Sequence, residues 1–577
     1  MKQVSRRAWL VFSALALVLA AAAPGRAAPA SVRAERQMVV TANRHASQAG
    51  LEMLRAGGSA VDAAIAAQLV LGLVEPQSSG LGGGAFMLHF AAGSGVLSAY
   101  DGRETAPAAV DERLFLDAQG RPMRFFDAVA GGRAVGAPGV VRMLALAHKE
   151  HGRLPWAALF APAIRLAEAG FRVSPRLHFL IARDRLLKNF SAARSYFYQD
   201  GAALPEGFLL KNPAYAQSLR QIAADPQAFY RGPLARRVIA AVRHAERNPG
   251  MLSLADLAAY RAKKRPPVCL SYRLWRLCGM PPPSSGGVTT LQIMKMLERF
   301  DMAAIAPGSL RAVHLISAAS RLAFADRAAY LADSDFVAVP LRGLIDTDYL
   351  RARAALIEPA RRLKTVLPGA PRYDDGAAAN FFAAPSPERP STSHLSIVDH
   401  WGDVVSMTTS VENVFGSRVM VGGFLLNNQL TDFSFVPRKA GAPVANRVEP
   451  GKRPRSSMSP TIVFDRAGRP VMAIGSPGGP AIIGFVVKTL IGVLDWKHDI
   501  QAAIALPNHV TMGGPLFLER ATPLIRLESG LKALGYKVRE RSLVSGLHGV
   551  VIRYGPGGAR QLIGGADPRR EGVALGD

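Results

Sequence analysis

The sequence has few cysteines and lacks the common phosphate-binding and metal-binding motifs. Its only two cysteines, Cys269 and Cys278, have no neighbours that would activate a thiolate, which argues against a cysteine nucleophile. It has no Gly-Lys-Ser/Thr phosphate loop. The spacing of His148 and His151 is that of a charged helix end rather than of a zinc site. We therefore expect neither a metal nor a cofactor.

Long apolar runs are also missing after the N-terminus, so no membrane span is expected in the mature protein. The first residues are different. Lys2, Arg6 and Arg7 precede an apolar stretch from Ala8 to Ala23, and small residues follow it. This order is typical of a secretory signal, which predicts that residues 1–28 are removed and that the protein is periplasmic or secreted. The twin arginines leave the Tat and Sec export routes both open.

Acidic residues are scarce, with 43 Asp and Glu against 70 Lys and Arg, which gives a net charge of +27. The densest basic run is only Lys263-Lys264-Arg265. A dispersed basic surface favours anionic substrates or an anionic membrane face over nucleic acid, although polyanion binding stays open as one alternative. The chain is 49% hydrophobic and 20% charged, which indicates a globular protein.

The glycine-rich run Gly80–Ala85 formally fits a dinucleotide fingerprint. That motif needs a strand before it and a helix after it. Here a predicted helix from Ala60 to about Leu73 precedes the run, and an apolar strand, Phe86–Leu88, follows it. The order of elements therefore argues against a nucleotide site.

The first part of the chain is predicted to be rich in helices. Ser59 and Asp62 have capping-box spacing at the start of the helix that begins at Ala60. A Pro-, Ala- and Gly-rich stretch from about Glu358 to Ser391 predicts an exposed loop. The other predicted helices are Ala46–Ala56, Pro155–Gly170, Pro213–Ala223, Leu234–Arg247, Thr289–Phe300 and Arg311–Leu331.

Cys269 and Cys278 flank a segment that alternates across its middle, as expected for a hairpin. The two side chains would then face each other across the strands. In an oxidising compartment they could form a disulfide. Two buried free thiols are the alternative.

After Ser391 the pattern changes to strands, with a turn at Trp401. If the hairpin is centred on Trp401, Ser410 lies opposite Thr392 to within a residue. Cleavage before Thr392 would make it an N-terminal threonine whose own α-amine, with a pKa near about 8, could take the hydroxyl proton. The alternative for Ser410 is a plain surface serine in a hairpin.

Several segments in order, from about residue 36 to the C-terminus, resemble the γ-glutamyltransferases (γ-glutamyltranspeptidases). Thr392–Ile397 and Gly402–Glu412 carry the most specific part of the resemblance. The remaining segments are Glu75–Gly84, Asp101–Glu104, Met280–Gly287, Leu425–Gln429 with Asp432, Lys452–Pro460 and Gly475–Gly479.

The resemblance implies the N-terminal-nucleophile hydrolase fold, an α+β four-layer αββα sandwich. It further implies one precursor cleaved between Ser391 and Thr392, giving a large subunit of residues 29–391 and a small subunit of residues 392–577 that remain a heterodimer. Thr392 would be the nucleophile, and Ser410, where the family usually has Thr, would orient it. The backbone of Gly478 and Gly479 would form the oxyanion hole.

For the γ-glutamyl donor, the resemblance assigns the α-carboxylate to Arg103, Ser456 and Ser457, and the α-ammonium to Asp432 and Gln429. A guanidinium suits a carboxylate because it binds in a bidentate manner. The sequence departs from the family at Glu412, where Asn is common. Glu412 could pair with the substrate ammonium, or it could alter donor preference.

The implied reaction is hydrolysis of glutathione or another γ-glutamyl compound, or transfer of its γ-glutamyl group to an amino acid or peptide. The segment Ser434–Glu449 looks short for the lid of some relatives, which would favour hydrolysis. A related cephalosporin or glutaryl acylase and an unprocessed secreted binding protein are the competing interpretations. Asp432 argues against the acylase, because a carboxylate there would repel a glutaryl side chain.

Overall fold

Two seven-stranded antiparallel sheets form the centre of the protein. The structure is a computed structural model that describes residues 30–373 and 391–577, so the predicted signal segment lies outside the described residues. In chain order the strands of the two sheets are β1 Val32–Ala34, β2 Met38–Thr41, β3 Gly84–Ala91, β4 Val96–Gly102, β5 Lys263–Arg265, β6 Val268–Tyr272, β7 Trp275–Gly279, β8 Ser393–Val398, β9 Val404–Ser410, β10 Thr461–Phe464, β11 Pro470–Gly475, β12 His548–Tyr554, β13 Arg560–Ala566 and β14 Val573–Gly576.

We call the two sheets the nucleophile sheet and the oxyanion sheet, after the residues that the family resemblance assigns to them. The nucleophile sheet has the order β14-β2-β8-β9-β3-β4-β5, and the oxyanion sheet has the order β1-β13-β12-β11-β10-β7-β6. The smaller two-stranded sheets pair Phe171–Arg172 with Leu209–Leu210, Tyr198–Gln199 with Ala202–Ala203, Met420–Val421 with Phe424–Leu425, and Arg438–Lys439 with Ala442–Pro443. A three-stranded sheet has Leu516–Glu519 in the middle, between His509–Thr511 and Val538–Arg541.

Helices cover both outer faces. The longer helices are α1 Arg44–Arg55, α2 Ala60–Val74, α3 Val140–His151, α4 Ala161–Ala169, α5 Pro175–Arg183, α6 Pro213–Ala224, α7 Gly232–Arg243, α8 Gly286–Leu297, α9 Leu310–Tyr330, α10 Thr347–Ala355 and α11 Ala481–Leu494. The shorter ones are Phe125–Ala128, Ser191–Phe197, Leu254–Ala259, Leu341–Leu344, Ile500–Ala505 and Glu528–Ala533.

Alternation along the strands builds the layers. In β8, Leu395 and Ile397 pack with α1 and α2 in one core, while Val398 belongs to the second core. That second core contains Ile474 of β11 and Ile483 of α11. Successive side chains of a strand point to opposite faces, so one face of the nucleophile sheet meets helices and the other meets the oxyanion sheet. The predicted αββα sandwich is confirmed.

The sequence-based helices are largely confirmed, and α2 is the clearest case. Its capping box is present, with Ser59 accepting from the Asp62 N–H and Asp62 accepting from the Ser59 N–H. Every residue of α2 is buried, as its apolar composition predicts. The segment predicted as a helix over 155–170 begins as a 3₁₀ turn, Trp156–Phe160, before α4.

The prediction of a helix-rich first part omitted most of its strands. β1, β2 and β4 come from this part, and two of them have only three or four residues. Strands that short carry too little periodicity to be recognised without their partners. Residues 358–373 have no helix or strand, while the rest of the predicted loop up to residue 390 lies outside the described residues.

Both sheets contain strands from each side of the predicted cleavage point. β2 pairs with both β14 and β8, and β3 pairs with β9. In the other sheet β7 pairs with β10. Cutting the chain before Thr392 would therefore leave the two parts joined by strand hydrogen bonds and by shared cores.

The cysteine hairpin exists, and its two cysteines are directly opposite each other. Cys269 of β6 pairs with Cys278 of β7 in register, and the two form a disulfide. Of the two alternatives, the structure has the bonded one. Among the described residues, no helix is both long and apolar enough to cross a bilayer.

Candidate active site

The hairpin of β8 and β9 brings Thr392 and Ser410 together. Ser393 pairs with Thr409, and the register continues to Val398 with Val404, as the turn at Trp401 predicts. Thr392 and Ser410 follow as the next pair, with their hydroxyl oxygens 3.1 Å apart. The strand register thus brings together two residues that are 18 positions apart in the sequence.

Ser410 is not a surface residue, because only 2% of it is exposed. Its hydroxyl oxygen accepts a 2.9 Å hydrogen bond from the backbone N–H of Glu412. That bond fixes the rotamer of Ser410 and leaves its hydroxyl proton available for Thr392. The alternative of a solvated serine is wrong.

The backbone at Thr392 is strained. Its φ is 144°, a positive value that a β-branched residue rarely adopts. The hydroxyl of Ser391 donates to the carbonyl of Gln77 at 2.6 Å, and Arg570 donates to the carbonyl of Thr392 at 2.9 Å, so the peptide is held on both sides. Such backbone costs on the order of 1–3 kcal/mol. Cutting the bond before Thr392 would remove the strained torsion.

A small pocket opens beside the two hydroxyls. It contains nine of the ten catalytic and substrate-binding residues predicted from the sequence, together with two apolar neighbours. The lining residues are Arg103, Thr392, Ser410, Glu412, Gln429, Asp432, Ser456, Ser457, Met458, Gly479 and Ile482. Gly478 is the one predicted residue that does not line it.

Arg103 and Asp432 form the charged floor of the pocket. The Arg103 Nη2 donates to Asp432 Oδ2 at 2.5 Å, and Gln429 Nε2 donates to the same oxygen at 2.9 Å. Arg103 is fully buried, and its Nε is held by the carbonyl of Pro454. Its Nη1 makes no hydrogen bond to any described residue. A buried guanidinium that lines the pocket suits a ligand carboxylate.

Two serines of the Lys452–Pro460 segment lie across the pocket. Ser457 Oγ accepts from Arg327 Nη2 at 2.7 Å, and Ser456 Oγ accepts from the Met458 N–H at 3.0 Å. The same arginine donates through Nε to Ser285 at 2.8 Å. Arg327 thus ties the Met280–Gly287 segment, through Ser285, to Ser457.

The glycine pair lies between β11, a strand of the oxyanion sheet, and α11. Gly478 and Gly479 have φ values of 137° and 58°, and they precede α11 by one residue. A Cβ at Gly478 would lie 2.7 Å from the ring of Phe485. Backbone N–H groups at the start of a helix can stabilise a developing oxyanion.

Glu412, the departure from the family pattern, is buried and lines the pocket. Its φ is 77°, and its Oε2 accepts from Thr431 at 3.4 Å and from the amide of Asn428. A carboxylate held in this way has a fixed position beside Ser410. It adds a second anionic group to a pocket that already contains Asp432.

The glycine-rich run is explained by close packing. A Cβ at Gly83 would lie 2.2 Å from the carbonyl oxygen of Ser410, and one at Gly82 would lie 2.2 Å from that of Leu425. A helix precedes the run and β3 follows it, as predicted. The glycines let this turn approach the backbone of β9, and the run has the wrong order of elements for a nucleotide site.

Four residues near the site were not found by sequence reasoning as site residues: Gln77, Glu104, Arg327 and Arg570. Arg570 lies 178 positions from Thr392, and Arg327 lies inside a long helix. No local pattern marks either residue. In the described ranges, no group of three or more His, Cys, Asp or Glu side chains is placed to hold a metal ion.

Glu104 is fully buried beside Arg103, with its Oε2 3.9 Å from Arg103 Nη1. Burial raises the pKa of Glu104 to about 8, although the neighbouring Arg103 opposes this. The unfolded carboxyl has an ordinary pKa of about 4.5. Folding therefore favours the protonated form of Glu104. The loss of folding stability that this causes is absent below pH 4.5 and grows as the pH rises towards 8.

We expect Glu104→Gln to be more stable than its parent at pH 8 by a few kcal/mol, and to lose most of that advantage at pH 5. Thermal unfolding of single chains that also carry Thr392→Ala measures this without a subunit-dissociation step. Glu206→Gln, on an exposed turn, is the matched control. An equal advantage of Glu104→Gln at both pH values would contradict the expectation.

Comparison with known proteins points in one direction. A sequence model of the gamma-glutamyltranspeptidase family matches residues 46–577. The chain is 34% identical over 548 residues to a glutathione hydrolase proenzyme of Bacillus subtilis, covering 93% of this chain and 91% of that one. It is 35% identical over 555 residues to the glutathione hydrolase proenzyme of Escherichia coli, with 93% and 91% coverage.

Among solved structures, a cephalosporin acylase from Bacillus halodurans superposes with a TM-score of 0.83 at 27% identity. The superposition covers 98% of this chain and 99% of the acylase.

Proposed function

Because the chain belongs to the gamma-glutamyltranspeptidase family, we propose that it is a self-cleaving γ-glutamyltransferase and glutathione hydrolase with Thr392 as its nucleophile. The observation that carries the assignment of the nucleophile is the 3.1 Å contact of Thr392 and Ser410 at the wall of the pocket that contains Arg103 and Asp432. The hydroxyls of Thr392 and Ser410 thus lie next to a pair of charged groups that can bind the head group of an amino acid.

The first stage is self-cleavage. The Thr392 hydroxyl attacks the carbonyl carbon of Ser391, and the C–N bond breaks as the acyl group moves to the threonine oxygen. The former amide nitrogen becomes the α-amine of Thr392. Water then hydrolyses the ester, which releases Ser391 as a new C-terminus. Release of the strained torsion at Thr392 favours this direction.

The second stage uses the new N-terminus. The α-amine takes the proton of the Thr392 hydroxyl as the oxygen attacks the γ-amide carbonyl of the donor. The N–H groups of Gly478 and Gly479 stabilise the tetrahedral oxyanion. The amine then returns the proton to the leaving amino group, and a γ-glutamyl ester remains on Thr392.

Binding of the donor places the γ-carbonyl at the nucleophile. Arg103, helped by Ser456 and Ser457, binds the α-carboxylate, while Asp432 and Gln429 bind the α-ammonium. Glu412 adds a second anion on the ammonium side. The ester is finally transferred to water, or to the amine of an amino acid or peptide.

Two measurements on the purified protein test this function. Intact mass under denaturing conditions should give two chains, one of which begins at Thr392. The same preparation should hydrolyse γ-glutamyl-p-nitroanilide and glutathione. A single uncut chain, or a cut chain inactive on both compounds, would overturn the proposal.

A glutaryl acylase is the second candidate, because the superposed structure at TM-score 0.83 is a cephalosporin acylase. A glutaryl group lacks the α-ammonium, so Asp432 and Glu412 would face it without a counter-charge. The ratio of kcat/KM for γ-glutamyl-p-nitroanilide to that for glutaryl-p-nitroanilide separates the two. A ratio below one would favour the acylase.

Ser410 gives a prediction that concerns both stages. We expect Ser410→Ala to slow self-cleavage and to lower kcat by about 10- to 100-fold, since one hydrogen bond to the nucleophile is worth roughly 1–3 kcal/mol. Ser410→Thr should restore both, because it keeps the hydroxyl and its β-branch restricts the rotamer. Time courses of chain cleavage and steady-state kinetics measure the two effects. Wild-type rates in Ser410→Ala would assign the orientation of Thr392 to other groups.

We propose that water competes effectively with an acceptor amine at this site. Residues 434–449 carry only the short hairpin of Arg438–Lys439 and Ala442–Pro443, and its basic strand is exposed. Phe435 anchors its base by stacking on Phe115 at 4.4 Å. We expect hydrolysis to exceed transfer to glycylglycine at neutral pH. A transfer-to-hydrolysis ratio well above one would contradict this.

We further propose that the protein is exported to the periplasm or medium after loss of residues 1–28. The two chains, residues 29–391 and 392–577, would remain a heterodimer. The mixed strand order of both sheets supports this assembly. Edman sequencing of the large subunit from a periplasmic extract tests the export and the loss of residues 1–28, since the subunit should begin near residue 29.

A further inference from the structure

The carbonyl of Thr392 is held by a buried arginine from the end of the chain. Arg570 Nη1 donates a 2.9 Å hydrogen bond to Thr392 O. The Arg570 side chain and the ring of Pro477 both pack on Gly546, since a Cβ there would lie 2.7 Å from one and 2.6 Å from the other. The Arg570 side chain thus contacts Thr392 at its tip and packs at Gly546 beside Pro477, the residue that precedes Gly478.

Arg570 remains a cation at neutral pH. Burial lowers its pKa to about 9, and Arg176 lowers it further, while Glu75 and Asp567 oppose the shift. A pKa of about 9 leaves the guanidinium mostly charged at pH 7 to 8. Its Nε makes no hydrogen bond within the described part of the chain, so the contact with Thr392 is one of the few that hold the group.

We propose that Arg570 keeps the α-amine that cleavage creates at Thr392 in its neutral, proton-accepting form. The nitrogen and the carbonyl oxygen of one residue are separated only by Cα and C, so the cation bound to the oxygen lies within about 6 Å of the nitrogen. A like charge at that distance disfavours the ammonium form. The inference rests on the proposed role of Thr392.

The reason that such help is needed lies in the chemistry of an α-amine. In model peptides its pKa is about 7.7–8.0, so at pH 7 most of it would carry a proton and could not act as a base. Acidic neighbours in the pocket would raise that pKa further. A fixed cation on the opposite side shifts the balance towards the neutral amine.

The other titratable groups near the amine do not change the sign of the charge that contacts Thr392, which is the cation Arg570. On the pocket side Asp432 is paired with Arg103, and Glu412 is the anion that opposes Arg570. His394 and His548, between the sheets, are neutral because burial lowers the pKa of both.

Behind Arg570, the acidic groups are bound by other partners. Asp567 lies 3.1 Å from Arg569, and Glu571 accepts from the backbone N–H of Arg176 at 2.9 Å. Burial raises the pKa of Glu75, which favours its neutral form. The charge in direct contact with Thr392 is therefore positive.

The pH dependence of kcat/KM for γ-glutamyl-p-nitroanilide tests the proposal, because its acidic limb reports the base in the free enzyme. We expect Arg570→Gln to move that limb upward by about one pH unit, so that activity at the foot of the limb falls about tenfold relative to the plateau. Arg570→Lys keeps the charge and should move it by less than half as much. A purely structural role would lower the plateau and leave the limb in place.

Arg176→Gln is the second variant, since it leaves the contact of Arg570 with Thr392 intact. Removing this cation makes the surroundings more negative, so the limb should move upward by a smaller amount. Arg165→Gln, an exposed residue paired with Glu52, should match the wild type throughout. If Arg570→Gln is not cleaved, the position of the acidic limb in Arg176→Gln decides whether the proposal holds.

An acidic limb that stays in place in Arg570→Gln, or in Arg176→Gln when the first variant is uncut, overturns this inference alone. A wild-type protein that is uncut or inactive overturns the proposed function instead. The two failures are therefore distinguishable in one set of preparations.

Discussion

Thr392→Ala is expected to yield a single uncut chain with no measurable γ-glutamyl transfer or hydrolysis. The substitution removes the only atom that attacks in both stages, the threonine hydroxyl oxygen. Losing a covalent nucleophile lowers kcat by about 10⁴-fold or more in comparable hydrolases. Intact mass and the p-nitroanilide assay measure the two losses on the same sample.

The matched control is Thr392→Ser, which keeps the hydroxyl and loses a methyl group. It should still be cleaved, although more slowly, because the serine hydroxyl has more rotamers to populate beside Ser410. Cleavage of the Ala variant at the same bond would show that another protease makes the cut. Activity of an uncut Ala variant would remove Thr392 from the mechanism altogether.

Arg103→Gln is expected to lower kcat/KM for γ-glutamyl-p-nitroanilide by about 100- to 1,000-fold, mainly through KM. Removing one partner of a buried charge contact costs roughly 2–5 kcal/mol. The substrate loses the cation that faces its α-carboxylate, and Asp432 loses its 2.5 Å partner inside the protein. Arg103→Lys keeps the charge and should lose less, although it cannot reproduce the forked geometry.

A second substrate separates the loss of binding from misfolding. The 4-aminobutyryl anilide lacks the α-carboxylate, so the wild type should strongly prefer the γ-glutamyl compound. Arg103→Gln should prefer neither. A variant that keeps the wild-type preference while losing activity on both would place the α-carboxylate away from Arg103. Thermal unfolding of each variant checks that the chain is folded.

The sequence predicted the local parts of the site well, for physical reasons. The register that brings Ser410 to Thr392 depends only on a turn at Trp401 and on strand geometry, and both are encoded within about 20 residues. The capping box of α2 is local in the same sense. The short strands β1 and β2 were not predicted, because their order depends on partners at the other end of the chain.

The residues alone define the chemistry that is available: a threonine that cleavage can turn into a nucleophile with its own base, a hydroxyl opposite it, and a family pattern that supplies the binding groups. Which of these groups meet depends on the tertiary fold. Arg103 reaches Asp432 across 329 positions, and Arg570 reaches Thr392 across 178, because the two stacked sheets bring segments from distant parts of the chain together. Burial there also sets the charge states of Glu104 and Arg570, since desolvation depends on the whole fold and on no local pattern.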